Sequence, residues 1–232
     1  MFVAEVRFYR EIASVVGVRV PACYHTEVTP DGTLLELEDL SSWQPGADPV
    51  DAARLLRSLH ERWKGKAETR WPWLRPVGAA AGLVGELFDR VWPVVSARGD
   101  CTPRIRSLGG RLVGRIPAVE RASLSAGVTT LVHGDASLRN MRTSPGGQIA
   151  LLDWEDVGAA PGVSDLAWLL LSSVQPARWE EVVAAYGTAS GLLDVLPAAA
   201  SQALLCFADT PVDSEDALAW VCRLEAAAHR LG

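Results

Sequence analysis

The stretch LVHGDASLRNM, residues 131–141, sets His133, Gly134 and Asp135 in a row, with Asn140 five residues after the aspartate. A second acid follows in LLDWED, where Asp153 ends an apolar run. Between the two, Thr130–Val132 and Gln148–Leu152 read as short β-type runs flanking a Ser-Pro-Gly-Gly turn. An acid and an amide at that spacing on a tight loop can face one point, and an acid at the end of a neighbouring strand can complete the set. Phosphoryl transfer needs such a set: a carboxylate to orient the attacking hydroxyl and take its proton, and cations to offset transition-state charge. It also needs hard oxygen ligands for Mg²⁺, usually one or two carboxylates and an amide. Asp135, Asn140 and Asp153 supply those atoms, and His133 stands where it can brace the loop backbone. Each residue alone is ordinary; their fixed register is the specific signal.

Outward from this insert the pattern is mostly helical. Residues 163–173, 178–187, 193–207 and 213–230 read as helices downstream. Upstream, Asp51–Trp63 places Ala53, Leu55, Leu56 and Leu59 on one face, with Asp48 as its cap and Pro49 at its first position. Ala79–Val95 is a second helix, and Gly110–Ser123, with Pro117 inside it, a third. At the start, Val3, Val6, Phe8, Ile12 and Val15 recur at helical spacing over residues 3–15, ending near Gly17. Val18–Tyr24 reads as extended, Asp31-Gly32 as a turn and Thr33–Leu37 as a strand, before a polar linker with Ser41, Ser42, Pro45 and Gly46. The expected organisation is α+β: a small mixed piece, residues 1–40, joined to a larger helical piece, 41–232, that carries the β-loop insert.

The bulk numbers exclude several classes. A chain of 232 residues with 49% hydrophobic residues can bury a substantial core. The net charge of −6, from 22 basic and 28 acidic residues, argues against a nucleic-acid surface. Cys23, Cys101, Cys206 and Cys222 are scattered, with no metal or disulfide spacing. The N-terminus turns charged too early for a signal peptide, and no apolar run reaches membrane-spanning length, so the cytoplasm is the expected location.

HGDASLRN followed by IALLDWEDVGAAPGVSDLAWLL resembles the catalytic segment of the aminoglycoside phosphotransferase/choline kinase family, and especially its ecdysteroid-kinase-like branch. The resemblance implies a protein-kinase-like fold and Mg²⁺-dependent phosphoryl transfer from ATP or GTP to a hydroxyl of a metabolite or antibiotic. It makes Asp135 the catalytic base and Asn140 and Asp153 the metal ligands, with Asp165 bracing the catalytic loop. Upstream, EVRFYREIASVVGVRVPACYH resembles the N-lobe helix, with Glu5 in the place of the glutamate that pairs with a nucleotide-binding lysine. LLELEDL resembles the hinge, where Glu36, Leu37 and Glu38 would meet the adenine, and ARLLRSLHERW resembles the first C-lobe helix.

The family pattern normally opens with strands carrying a phosphate-covering loop and that lysine. Here Glu5 lies four residues from Met1, and the two lysines, Lys64 and Lys66, follow the first C-lobe helix. The expectation is therefore a truncated N-lobe, in which Glu5 otherwise reads as a solvated helix charge. Arg7 or Arg10 could grip phosphate in the lysine's stead. Trp63, Trp71, Trp73 and Trp92 read as packing, or as an aromatic wall for an organic substrate. Glu155 is a further candidate metal-side carboxylate.

Two alternatives to a kinase follow from the incomplete nucleotide side. A repurposed member could use Asp135 and Asp153 for acid–base isomerisation, elimination or cyclisation without ATP. A non-catalytic, pseudokinase-like helper could meet a protein partner, or a second copy as a homodimer, across the uncovered N-lobe edge.

Overall fold

The computed structural model describes residues 3–30, 32–76 and 78–232. Asp31 of the expected turn and Met1 lie outside the described residues. Helix α1, Val3–Glu11, buries Val6, Phe8 and Tyr9. It stops earlier than its apolar spacing suggests, because Ile12 and Ala13 both donate to the Phe8 carbonyl, at 2.8 and 2.9 Å, and tighten the chain into turns that end at left-handed Gly17. Strands β1, Cys23–Thr29, and β2, Gly32–Leu37, form an antiparallel hairpin that packs on α1.

The polar linker contributes a short strand, β3 (Gln44–Pro45), which pairs with the insert. Helix α2, Pro49–Trp63, starts where expected: the Asp48 carboxylate accepts from Val50 N at 2.9 Å, and Pro49 takes the first turn, where a missing N–H costs nothing. Its inner face buries Ala53, Leu56, Leu59, His60 and Trp63, one turn apart. A short α3, Ala67–Arg70, and β4, Arg75–Pro76, lead to α4, Ala81–Ala97.

The single helix expected over 110–123 is two. Helix α5, Pro103–Leu112, is capped by the Thr102 hydroxyl and already includes Gly109 and Gly110, while α6 runs Ile116–Ser123. The break falls at Gly114, with φ of 68°, and it puts Pro117 in a first turn instead of a helix interior, where it would remove a hydrogen bond.

The insert comprises β5 (Thr129–Val132), β6 (Met141–Thr143), β7 (Ile149–Leu151) and β8 (Gly158–Pro161). Strand β6 sits between β3 and β7, and β8 sits between β4 and β5. Helix α7, Val163–Ser173, is apolar nearly all round and runs through the core, as such a helix must. Helices α8 (Trp179–Tyr186), α9 (Leu192–Ala208) and α10 (Glu215–Arg230) enclose it. No described helix is long and apolar enough to cross a membrane.

Candidate active site

The catalytic-loop candidate leaves β5 of one sheet at His133 and enters the other sheet at β6, so both ends are fixed by ladder hydrogen bonds. The β6–β7 register pairs Met141 with Leu151, and Leu152 N donates to the Asn140 carbonyl at 2.9 Å. That pairing brings Asn140 and Asp153 to the same end of one hairpin. His133 adds a second tie: its ring Nε2 donates to the Leu152 carbonyl at 2.8 Å, and its Nδ1 accepts from Asp135 N at 3.3 Å. Both contacts join His133 to backbone atoms of the loop and of the β7 end.

Asp135 is held on both carboxylate oxygens. Trp168 Nε1 donates to Oδ1, while Arg139 Nη2 and Asn140 Nδ2 donate to Oδ2, each at 2.9 Å. Partial burial pushes this carboxyl up, but the bonds from Trp168, Arg139 and Asn140 outweigh it and hold the group below the usual aspartate range. The Asn140 amide also donates to the Asp135 carbonyl at 3.0 Å. With its nitrogen so committed, its oxygen is left without a protein donor among the described residues.

Asp153 adopts a left-handed backbone, φ 62°, one of two such non-glycine residues described. That conformation costs about 1–2 kcal/mol for an L-residue and is tolerated best by aspartate and asparagine. The next residue, Trp154, turns inward, fully buried and stacked on Phe8 of α1 at 4.0 Å and 8°. Trp154 N donates to Glu5 Oε1 at 3.3 Å. Glu5 is thus 8% exposed, which corrects the reading of it as a solvated helix charge. Burial raises its carboxyl and the Trp154 N–H offsets only part of that, with Asp153 and Glu155 adding repulsion. Burial, then Asp153 and other nearby acids, likewise pushes Glu155 up.

Behind the loop stands Asp165, 1% exposed, in the first turn of α7. Its Oδ1 accepts from Gly134 N at 3.0 Å, and its Oδ2 from His133 N at 2.8 Å and from His60 Nε2 at 3.1 Å. Burial acts to raise this carboxyl, yet the His60 and His133 contacts outweigh it and keep it below the usual range. His60 Nε2 thus faces Asp165, and its Nδ1 lies 2.9 Å from the Tyr186 hydroxyl. Gly134 has φ 90°, and a Cβ there would lie 2.1 Å from the Asp156 carbonyl oxygen, so only glycine fits. Sequence reading missed His60, Tyr186 and Trp168: each reaches the site from another element, and a lone histidine or aromatic on an apolar face carries no signal of that.

The upstream candidates divide. Both oxygens of Glu38 accept from Arg19 Nη2, at 2.5 and 2.6 Å, and Oε2 also accepts from Ala22 N at 2.9 Å, so its side chain fixes the strand entry. Glu36 and Leu37 lie in β2, paired with His25 and Cys23. Arg7 stacks over Trp73 at 4.3 Å, and Arg10 bonds Thr26 at 2.7 and 2.9 Å. Trp63 and Trp71 pack edge to face at 4.6 Å in the core, and Trp92 stacks on Phe88. The tryptophans beside Asp135 are instead Trp168 and Trp220, whose rings lie 6.2 Å apart. They border a cavity of about 310 Å³ together with Arg139 and Asp209.

This geometry of a kinase-like fold agrees with the comparisons. Residues 2–201 match the model of the phosphotransferase enzyme family, and the chain belongs to that family. Its fold is similar to that of LicA in complex with AMP, at 16% identity over 99% of this chain and 79% of that one, TM-score 0.61. It is similar also to a choline/ethanolamine kinase family protein from Mesorhizobium loti, 20% identical over 99% and 84% of the two chains, TM-score 0.56. An aminoglycoside phosphotransferase from Alicyclobacillus acidocaldarius matches at 16% identity over 97% and 79%, TM-score 0.57. No curated protein sequence matches the chain.

Proposed function

We propose that the protein is a small-molecule O-phosphotransferase that moves the γ-phosphoryl group of ATP or GTP to an acceptor hydroxyl. The observation that carries this reading is the double hold on Asp135, which keeps its carboxylate ionised and aimed beside Asn140 and Asp153. Asp135 accepts the acceptor's hydroxyl proton as the oxygen attacks, and Arg139 offsets negative charge gathering next to it. The donor set fits Mg²⁺: the free amide oxygen of Asn140 and the carboxylate of Asp153 are hard oxygen ligands at one end of a hairpin. Bound there, Mg²⁺ would neutralise phosphate charge.

On this reading Glu36, Leu37 and Glu38 would meet the adenine, and the buried carboxylate of Glu5 would face a cation near the phosphates. The LicA neighbour contains AMP, which supports a nucleotide in the corresponding cleft. Titration calorimetry with ATP and GTP tests the reading. Binding that requires Mg²⁺ and disappears in Asp153→Ala is expected; no nucleotide binding at millimolar Mg²⁺ would overturn it.

A further inference from the structure

The cavity lined in part by Arg139 and Trp168, the two side chains bonded to Asp135 across its carboxylate, also says what kind of acceptor it takes, an inference that rests on the phosphotransferase reading. At about 310 Å³ and open to solvent on one side, it has room for a small metabolite. Two opposite charges border it. Arg139 comes from the catalytic loop and Asp209 from the end of α9, with Trp168, Trp220, Ser172 and Cys206 between them.

Arg139 spends Nη2 on Asp135 and leaves the rest of its fork uncommitted among the described residues; its side chain is 73% exposed. A guanidinium has five N–H donors and pairs with a planar carboxylate through two of them. A monoanion suits this position better than a phosphate, because the transferring phosphoryl group and Asp135 already gather negative charge nearby. On the other side, Asp209 closes α9 through its backbone N–H, which donates to the Cys206 carbonyl at 3.2 Å. Its carboxylate is exposed and accepts no hydrogen bond from the described residues, so an ammonium can reach it. The Trp220 ring beside it already takes Arg223 at 4.6 Å, showing that its surface accepts a cation.

We propose that the acceptor is a small hydroxy amino acid, its carboxylate on Arg139, its ammonium on Asp209 and its hydroxyl at Asp135. The hydroxyl oxygen bonds to the γ-phosphorus of the nucleoside triphosphate as the bond from that phosphorus to the β,γ-bridging oxygen breaks. The hydroxyl proton passes to Asp135, and a nucleoside diphosphate leaves.

Matched ligands separate the two charges. L-serine and L-homoserine are titrated into the full chain, with ethanolamine as the carboxylate-free control and 3-hydroxypropionate as the amine-free one. At least one zwitterion should bind about tenfold or more tighter than either control. Arg139→Gln should abolish the preference over ethanolamine and Asp209→Asn the preference over 3-hydroxypropionate; circular dichroism confirms folding of each variant. Equal binding of ethanolamine and the zwitterions, no binding of either zwitterion, or an unchanged preference in both variants would overturn the proposal. Zwitterion binding without nucleotide turnover would support this pocket assignment and overturn the phosphotransferase reading, so the two fail separately.

Discussion

Asp165 should be the most costly polar side chain to remove behind the site. Its buried carboxylate accepts from His133 N, Gly134 N and His60 Nε2 at 2.8, 3.0 and 3.1 Å. A net hydrogen bond to a charged group contributes about 1.5–3 kcal/mol, and each buried donor left unsatisfied costs about 1–3 kcal/mol. The three share one group and do not add, so Asp165→Ala should destabilise by about 3–5 kcal/mol, the range for breaking a buried pair. For a chain of this size that lowers the melting temperature by roughly 6–20 °C. The sign with pH follows from the depressed carboxyl: its contribution is complete above the ordinary aspartate value of about 3.9 and is lost as pH falls through the lower folded value. Thermal denaturation followed by circular dichroism, from neutral pH down to about pH 3, should show wild type losing its advantage over the variant only at the acidic end. Tyr186→Phe, which removes just the outermost donor, should cost about 1 kcal/mol. A loss below about 1 kcal/mol for Asp165→Ala at neutral pH would refute the bracing account.

Trp168→Phe removes the donor on Asp135 Oδ1 and so raises that carboxyl; the acidic limb of the kcat/KM profile should move up by about one pH unit. An unmoved limb would show that the indole does not tune the base. Gly134→Ala forces a Cβ to 2.1 Å from the Asp156 carbonyl at φ 90°, and a soluble variant with wild-type melting would contradict that geometry. Asp153→Gly relieves the left-handed backbone and should keep or raise the melting temperature by a few degrees while abolishing Mg²⁺-dependent nucleotide binding. Retained binding would exclude Asp153 as a ligand.

The catalytic segment was legible because its chemistry is local: His133, Asp135 and Asn140 lie within one loop, and the turn between β6 and β7 delivers Asp153 beside it. Helix α2 was equally readable, since Asp48, Pro49 and an apolar stripe all specify the same start. Strand β8, Gly158–Pro161, was not, because glycine, alanine and proline have no strand preference; burial between β4 and β5 makes it a strand. The α5–α6 break was hidden for the opposite reason: the apolar spacing continues across it, and only the Gly114 backbone reveals the turn. Trp63 and Trp71 pack in the core and Trp92 stacks on Phe88, while the paired rings at the cavity are Trp168 and Trp220, which α7 and α10 bring together only in the folded chain. Glu5 reads in the sequence either as a buried ion-pair partner or as a surface charge, and the fold buries it where Trp154 N meets its carboxylate.

ADP release from ATP with Mg²⁺ and a panel of small hydroxyl acceptors, wild type against Asp135→Asn, tests the central claim most directly. The account predicts acceptor-dependent turnover by the wild type and a kcat lower by about 10²–10⁴-fold in the variant, with nucleotide binding retained. Turnover by Asp135→Asn equal to that of the wild type would contradict it.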